Sequence, residues 1–341
     1  MITILTFCIL PLLTFYLVIK YKNYFKFYNY KSIQKTHTGY VPRLGGFIIM
    51  SYFMIIIFIL NIKNIAFFLN YKILIAGFLI GLLTLKEDLF GNTSPLSRLI
   101  IIFLCSIFAI INLEKLPQIN IFILSLFLKN YIFEIIFYSF SLTILANGKN
   151  IIDGMNGLAA LTSISSLMCM LLIVYYNNLS DLYILINILI GLLIIFLIFN
   201  FPYGKIFLGD SGAYWLGWII GMFLIIIISN INFINPWIAL VILFYPCFEL
   251  FFSFVRKVLQ KKSPLNADTY HLHLLVHKYI KNKRNGAKFN NAIVTIILFP
   301  IWFSNLFFII LFSFDFISIG LIIIIQILTY LSFYIFFSLK A

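Results

Sequence analysis

Long stretches of apolar residues without an ionisable side chain recur from one end of this chain to the other. Apolar residues make up 63% of the 341 residues and charged residues only 10%, so the chain cannot give a water-soluble domain an ordinary polar surface. A bilayer core of roughly 30 Å is crossed by about 20 apolar residues in a helix, and the chain repeatedly supplies runs of that length. The sequence therefore predicts an all-α integral membrane protein.

We predict eleven transmembrane helices in one polytopic domain, residues 1–341, without a separate soluble domain. The apolar segment 119–128 is short for a span and is predicted to be interfacial or re-entrant. The predicted spans are residues 2–19, 44–62, 65–85, 97–113, 131–146, 158–176, 182–199, 206–229, 236–255, 292–312 and 316–338. The polar loops with functional residues are 20–43, 86–97, 147–157, 200–212 and 256–291.

Lysine and arginine predict the orientation of these spans, because basic residues are retained on the cytoplasmic side during insertion. With the first loop inside, 20 of the 24 basic residues are cytoplasmic, and the others are Lys63, Lys72, Lys115 and Lys129. The amino terminus is therefore predicted outside and the carboxyl terminus in the cytoplasm. The formal charge of +14 is mainly a signal of this topology, and we predict no nucleic-acid partner. The four cysteines fall inside spans and show no spacing of a metal site or disulfide framework.

Acidic and histidine side chains gather on the predicted cytoplasmic side. Asp88, Asp153, Asp210 and Asp268 all fall there, at membrane edges where an apolar chain has no structural need for them. This distribution predicts an active site at the cytoplasmic face of the membrane.

The first two of these loops combine cations with paired acids. Arg43 offers a planar fork suited to phosphate or carboxylate, although a basic stop signal before a glycine-containing helix start would look the same. Glu87 and Asp88 are adjacent carboxylates that repel each other, and a divalent metal is one natural compensator. The alternative is that Lys86 pairs with one of them at a solvated turn.

The third loop carries a regular polar stripe. Asn147, Asn150, Asp153 and Asn156 recur every three residues, which on a helical turn places them along one side. Such a stripe could bind a metal, a nucleotide or a sugar. A glycine-rich helix break with local Asn and Asp turns is the structural alternative.

The last two loops add a carboxylate inside an apolar run and a group of histidines. A lone carboxylate such as Asp210 costs roughly 2.5–3.5 kcal/mol inside a membrane, unless it serves as a helix cap. His271 and His273, close to Asp268, could donate to phosphate oxygens, ligate a metal or transfer protons, whereas a single loop histidine is usually a solvated bystander.

The order and spacing of these five motifs, between about residues 30 and 280, resemble the polyprenyl-phosphate N-acetylhexosamine-1-phosphate transferase family. Asp88 matches the second of the paired aspartates of that family. The other matching residues are Lys35, His37, Pro42, Arg43, Gly45 and Gly46 in the first loop, Asn147, Asn150, Asp153 and Gly154 in the third, Lys205, Gly209, Asp210 and Gly212 in the fourth, and Asp268, His271 and His273 in the last.

The resemblance implies an enzyme that moves a sugar 1-phosphate, expected to be an N-acetylhexosamine 1-phosphate, from a UDP-sugar to undecaprenyl or another polyprenyl phosphate and releases UMP. It implies that the enzyme uses Mg²⁺, which Mn²⁺ could replace. The protein is expected to be a multi-pass protein of the inner (plasma) membrane with its active site facing the cytoplasm. The reaction is expected to initiate a cell-envelope glycan, such as the cell wall or O-antigen lipopolysaccharide. A homodimer is also expected.

The resemblance also assigns roles to individual residues. The expected catalytic residues are Asp88, Asp153, Asp210, His271 and His273. The expected metal ligands are Asp88, Asn150, Asp153 and Asp210. The expected substrate-binding residues are Lys35, His37, Arg43, Glu87, Asn147, Asn150, Asn156, Lys205 and Asp268.

Four positions depart from the family pattern. Glu87 stands in place of the first paired aspartate, Asn156 in place of an aspartate and Leu274 in place of a third histidine, while Glu249 stands where the family usually has an aspartate. Two alternatives to the enzyme therefore stay open. One is a transporter or flippase of an anionic lipid that uses Glu134 and Glu249, and the other is a catalytically degenerate relative.

Overall fold

The computed structural model describes residues 8–24, 40–62, 70–91, 93–119, 125, 127–231, 233–266, 268–284, 289–311 and 315–340. These residues form helices and connecting turns, with no β-strand among them. The first eight helices are α1 (Leu10–Lys20), α2 (Gly45–Ile62), α3 (Tyr71–Phe90), α4 (Pro95–Ile111), α5 (Tyr131–Ile152), α6 (Leu158–Tyr176), α7 (Ser180–Asn200) and α8 (Gly209–Asn230). They are followed by α9 (Ile238–Ile242), α10 (Phe244–Leu259), α11 (Leu272–Lys283), α12 (Asn290–Ile297), α13 (Phe299–Trp302), α14 (Ser304–Leu311) and α15 (Phe316–Lys340).

Six of the described helices are long and apolar enough to cross a membrane, namely α2, α5, α6, α7, α8 and α15. Helices α1 and α4 are apolar but shorter. The all-helical membrane class predicted from the sequence agrees with this architecture. The number of eleven spans and their orientation stay predictions.

Helix α8 is the centre of the bundle. Every residue from Gly209 to Ile228 is buried, and the helix packs against α5, α3 and α2. Small residues permit this close packing: a Cβ atom on Gly217 would lie 2.8 Å from the Cα atom of Ala146 on α5. The amino-terminal end of α8 is therefore surrounded by other helices, and side chains placed there are held by several elements.

Backbone hydrogen bonds join the start of α2 to the segment that precedes α8. The N–H groups of Gly45 and Gly46 donate to the carbonyls of Phe207 and Leu208, each at 2.9 Å, and the N–H of Phe207 donates to Pro42 at 2.9 Å. These bonds satisfy N–H groups that a helix start leaves without an intrahelical partner. They also fix the residues before α2 beside the first turn of α8.

We predict that Gly46→Ala destabilises the protein by at least about 1–3 kcal/mol, because it would overpack this helix contact. A Cβ atom at position 46 would lie 1.9 Å from the Cα atom of Gly212, so α2 and α8 would have to separate. Thermal unfolding of the purified protein in detergent measures the effect. Gly320→Ala is the matched control, since a Cβ atom there would have no described neighbour within 4 Å. An unchanged midpoint for Gly46→Ala would contradict the predicted close contact.

The predicted span 236–255 is wrong as a single helix, because it is broken at Leu243 into α9 and α10. Pro246 has no N–H to donate to the carbonyl of Ile242 four residues earlier. That carbonyl instead accepts hydrogen bonds from Ser166 at 2.9 Å and Asn305 at 2.8 Å. The predicted span 292–312 is likewise divided, into α12, α13 and α14.

Two segments predicted as loops are partly helical. The predicted loop 256–291 contains the twelve-residue helix α11, which begins directly after His271. Helix α5 continues to Ile152, so Asn147 and Asn150 lie on its last two turns rather than in a loop. The polar character of both segments led to the loop prediction, although their backbones complete regular helical turns.

Candidate active site at the start of the central helix

The first turn of α8 is capped by a side chain from another helix. The residue before this helix, Leu208, has no side chain that could cap it. Instead, the N–H groups of Asp210 and Ser211 donate to the two carboxylate oxygens of Asp88 on α3, each at 2.9 Å. Gly209 makes this approach feasible: its φ of +76° favours glycine, and a Cβ atom there would lie 2.7 Å from Asp88 Oδ2. Asp88 thus holds the start of the central helix in place.

Two arginines bind the carboxylates at this helix start. Arg43 Nη2 donates to Asp210 Oδ1 at 2.6 Å, and its Nε lies 3.3 Å from Asp88 Oδ1. Arg98, near the start of α4, donates to the other oxygen of Asp210. Asp210 therefore contacts a guanidinium group through each of its oxygens, and this cluster of two arginines and two aspartates combines the first, second and fourth polar loops.

Asp153, directly after α5, lies close enough to this cluster for its charges to matter. Burial raises the pKa of Asp153 well above its usual range, and the carboxylates of Asp210 and Asp88 raise it further, against the opposing charge of Arg43. Burial lowers the pKa of Arg43, but Asp88, Asp210 and Asp153 outweigh that effect and raise it above its ordinary value. Arg43 is therefore a permanent cation among three acidic groups.

The predicted polar stripe lies partly on one face of α5. Asn147, Asn150 and Asp153 recur at three-residue spacing and are all half-buried. The side chain of Asn150 lies beside Tyr214, one turn beyond Asp210 on α8. This face of α5 therefore adjoins the arginine–aspartate cluster.

Three predicted substrate-binding residues have other surroundings. Asn156 donates to the carbonyl of Pro202 at 2.9 Å and stabilises the turn before α8. Glu87 Oε2 accepts hydrogen bonds from the N–H and hydroxyl of Thr93, at 2.8 and 2.5 Å, and stabilises the turn between α3 and α4. Lys205 is exposed, with Nζ 5.2 Å from the centre of the Tyr203 ring. Lys35 and His37 lie outside the described residues.

The histidine segment reaches the third loop through His273. The ring of His273 is buried, and a Cβ atom placed on Gly154 would lie 2.9 Å from its Nε2. The His271 ring is stacked on it, with 5.7 Å between ring centres and 11° between the planes. All five predicted motifs are thus represented in one region: Arg43, Asp88 and Asp210 in direct contact, Asp153 beside them, and His273 against the Asp153–Gly154 turn.

Asp268 is held at the edge of this region by a cation that we did not predict. Arg256 Nη2 donates to Asp268 Oδ2 at 3.0 Å, and Lys257 Nζ lies 3.8 Å from the same oxygen. Burial acts to raise the pKa of Asp268, but the charge of His271, the N–H of Tyr270 and the charge of Arg256 outweigh it and hold this pKa below its ordinary value. Asp268 is therefore ionised near neutral pH.

A comparison with protein families gives this geometry a context. Residues 70–228 match the model of glycosyl transferase family 4, and they include Asp88, Asp153 and Asp210. This chain is a relative of that family. The resemblance to polyprenyl-phosphate sugar-1-phosphate transferases, seen first in the motifs, is thereby confirmed.

Three curated relatives of this chain illustrate the similarity. A Bacillus subtilis protein named "Probable undecaprenyl-phosphate N-acetylglucosaminyl 1-phosphate transferase" is 29% identical over 147 residues, which are 41% of each chain. A Campylobacter jejuni phospho-N-acetylmuramoyl-pentapeptide-transferase is 30% identical over 58% of this chain and 62% of its own length. A Sulfolobus acidocaldarius protein, provisionally named a UDP-N-acetylglucosamine–dolichyl-phosphate N-acetylglucosaminephosphotransferase, is 32% identical over 56% of this chain and 60% of its own. The chain thus spans about two fifths to three fifths of these relatives.

The oxygen ligands of the site suit Mg²⁺ in kind. Within the described ranges, no group of three or more His, Cys, Asp or Glu side chains is arranged to hold a metal ion. Mg²⁺, however, is commonly bound by one or two carboxylates together with water and substrate phosphates. Asp153 fits that requirement best, because both oxygens of Asp88 accept backbone N–H groups. The oxygens of Asp210 contact Arg43 and Arg98, so Asp210 would exchange one guanidinium partner for the ion.

Sequence reasoning missed Arg98 and Lys149. The chain has four arginines against twenty lysines, so an arginine at the edge of an apolar helix was a signal for bidentate binding that we did not use. Lys149 is completely buried, and its Nζ donates to Thr162 at 3.1 Å. A fully buried lysine on the helix that carries Asn147 and Asn150 places a further amine one turn from Asp153.

We predict that His273 stays neutral between about pH 5 and pH 8, because burial lowers its pKa to about 3. The unfolded chain binds a proton at this histidine below about pH 6.5, whereas the folded chain does not, so this contribution to stability is lost as the pH falls from there towards 3. The ring chemical shifts of ¹³C-labelled histidine, assigned with His273→Gln, measure the protonation. A titration of His273 near pH 6.5 would contradict the prediction.

Proposed function

We propose that this protein transfers a sugar 1-phosphate from a UDP-sugar to a polyprenyl phosphate, giving a polyprenyl-diphosphate sugar and UMP. An oxygen of the lipid phosphate forms a bond to the phosphorus that carries the sugar. The bond from that phosphorus to the bridging oxygen breaks, and UMP leaves with the electron pair. The observation that carries the proposal is the arginine–aspartate cluster at the start of α8, of which Asp88, Arg98 and Asp210 lie inside the segment that matches glycosyl transferase family 4.

The main demand of this reaction is to bring two anionic phosphates together. Arg43 and Arg98 supply fixed cations with donors that suit phosphate oxygens. The Arg43 side chain is 26% exposed while its partner Asp210 is only 8% exposed, so Arg43 is the member of the cluster that a substrate can reach most easily. Asp210 holds both guanidinium groups at a fixed position, which reduces reorganisation during the reaction.

Asp88 serves this reaction as a positioning carboxylate. Its oxygens accept the N–H groups of Asp210 and Ser211 and lie beside Arg43, so the carboxylate is engaged in holding the start of α8 and the position of Arg43. A phosphate monoester dianion is nucleophilic near neutral pH and needs no base. Direct displacement by the lipid phosphate therefore agrees better with this geometry than a reaction through a covalent enzyme intermediate.

Mg²⁺ is part of the proposal, with Asp210 and Asp153 as its carboxylate ligands and Asn150 as a nearby amide. When bound, Mg²⁺ neutralises charge on the diphosphate oxygens. Asn147 and Asn150 face the nucleotide, while His271 and His273 bind phosphate or sugar. The chain resides in the inner (plasma) membrane and contributes to a cell-envelope glycan, with N-acetylglucosamine or another N-acetylhexosamine as the sugar.

The test is a transfer assay with purified protein, polyprenyl phosphate and a panel of UDP-sugars that are radiolabelled in the sugar. We expect a lipid-extractable product from at least one N-acetylhexosamine, loss of that product in EDTA, and its return with Mg²⁺. No lipid product from any sugar in the panel would contradict the transferase and favour a degenerate relative. Product formation that is indifferent to EDTA would contradict the metal requirement alone.

A further inference from the structure

Glu249 on α10 is a buried carboxylate that joins three segments of the chain. Its side chain is 1% exposed. Its Oε1 accepts the N–H of Leu272 at 3.2 Å and lies 3.0 Å from Nδ1 of His271. Its Oε2 accepts the hydroxyl of Tyr330, on the last helix α15, at 2.8 Å. The start of the histidine helix and the carboxyl-terminal helix thus meet at one acidic group.

These contacts determine which nitrogen of His271 carries a proton. An ionised carboxylate can only accept hydrogen bonds, and a backbone N–H can only donate. Because Oε1 already accepts from Leu272, a hydrogen bond between Oε1 and His271 requires a proton on Nδ1. The other ring nitrogen, Nε2, lies 3.7 Å from Asp268 Oδ1, on the opposite side of the ring.

The position of His271 is transmitted to the candidate site by ring stacking. The His271 and His273 rings are nearly parallel, and His273 lies against Gly154, the neighbour of Asp153. A rotation of His271 would therefore disturb the packing of His273 on the Asp153–Gly154 turn.

We propose that Glu249 and Tyr330 are positioning residues, which keep a proton on His271 Nδ1 and orient the ring so that a proton on Nε2 can be donated to a phosphate oxygen of the substrate. The role for the substrate rests on the proposed function, whereas the protonation of Nδ1 does not. Tyr330 lies outside residues 70–228, so the carboxyl-terminal helix becomes part of the machinery that supports the matched segment.

Two variants of similar size separate positioning from packing. Glu249→Gln keeps an acceptor oxygen for His271 Nδ1 and Leu272, while its amide can donate to the Tyr330 hydroxyl. Glu249→Met fills a similar volume without an acceptor. We expect kcat to fall by about 10–100-fold in Glu249→Met, as for other lost partners of functional histidines, with a smaller change in KM for the UDP-sugar. Glu249→Gln should recover most of that loss.

The ring ¹⁵N and ¹³C chemical shifts of labelled histidine in the full-length protein in lipid bilayers give a readout that does not need activity. The His271 signals are assigned with His271→Ala. We expect a protonated Nδ1 in the wild type and in Glu249→Gln, and a change towards the Nε2-protonated tautomer in Glu249→Met. A wild-type His271 with an unprotonated Nδ1, or signals that Glu249→Met leaves unchanged, would overturn the proposal.

The two readouts distinguish this inference from the proposed function. A wild type that makes no lipid product but has a protonated His271 Nδ1 refutes the transferase and leaves the positioning of His271 intact. An active wild type with equal kcat in Glu249→Met and Glu249→Gln refutes the positioning role alone.

Tyr330→Phe, which removes one donor to Glu249 and little volume, tests the same point should Glu249→Met fail to fold. Tyr245→Phe is the control, because that buried hydroxyl, one turn before Glu249, has no hydrogen-bond partner within the part of the chain that the structure describes.

Discussion

Replacement of Asp210 by Asn is expected to lower the transferase rate by about two to three orders of magnitude, as for other losses of a preorganised electrostatic element. Asp210 binds Arg43 through one oxygen and Arg98 through the other, so its charge organises both cations that we propose bind the phosphates. An asparagine keeps the shape but presents an amide N–H₂ to one guanidinium group, and two donors cannot bond to each other. The rate of lipid-product formation at saturating UDP-sugar measures the effect.

Glu114→Gln is the matched control for Asp210→Asn. It removes one carboxylate charge from an exposed residue that follows the end of α4, whereas Arg98 lies near the start of that helix. It should leave the rate unchanged. Full activity of Asp210→Asn would refute the role assigned to the arginine–aspartate cluster. Equal losses in both variants would indicate a general effect of net charge instead of a specific site.

Replacement of Asp88 by Asn is expected to destabilise the protein by about 3–5 kcal/mol, the usual cost when one partner of a buried ion pair is removed. The carboxylate of Asp88 accepts two N–H groups of α8 and pairs with Arg43, while its side chain is fully buried. An asparagine has one acceptor oxygen, so either Asp210 or Ser211 loses its partner and Arg43 loses a counter-charge. Unfolding of the purified protein in detergent, with activity measured in parallel, tests this expectation.

Glu87→Gln is the control for Asp88→Asn, because it makes the same carboxylate-to-amide replacement at the neighbouring buried residue. Among the described residues, the Glu87 carboxylate accepts hydrogen bonds from Thr93 alone, and a glutamine oxygen can still accept them, so we expect a loss of no more than about 1 kcal/mol. An equal loss of stability in the two variants would contradict the view that Asp88 holds the central helix. A stable but inactive Asp88→Asn would indicate that Asp88 acts directly on the substrate.

The general architecture could be predicted because membrane insertion constrains composition so strongly. Runs of about 20 apolar residues have few alternatives to helices that span a bilayer. The breaks within these helices could not be located with the same certainty. Pro246 is visible in the sequence. The break at Leu243, however, also depends on Ser166 and Asn305, which are distant in the sequence and donate hydrogen bonds to the Ile242 carbonyl.

The acids and arginine of the candidate site could be recognised because such residues are costly in an apolar chain. Their individual roles depend on contacts between segments. Asp88 and Glu87 are adjacent in sequence, yet one side chain caps α8 and the other binds a local turn. Asn156 continues a three-residue repeat, but α5 ends at Ile152, and its side chain therefore leaves the face shared by Asn147 and Asn150.

The contacts that were missed join residues far apart in the chain. Arg98 precedes Asp210 by 112 residues, and Glu249 precedes Tyr330 by 81. A basic residue at the edge of a span was interpreted as a topology signal, and a carboxylate inside a span as a departure from the family. Neither interpretation could reveal the partner, because the pairing depends on how the helices pack.

The central claim is that the sugar and its attached phosphate move together from the nucleotide to the lipid. A UDP-sugar labelled both in the sugar and in the phosphate next to it, incubated with purified protein, Mg²⁺ and polyprenyl phosphate, tests this most directly. The account predicts that both labels enter the lipid extract in equal amounts and that unlabelled UMP stays in the aqueous phase. Sugar label in the lipid without phosphate label, or both labels left in water with every sugar tried, would contradict it.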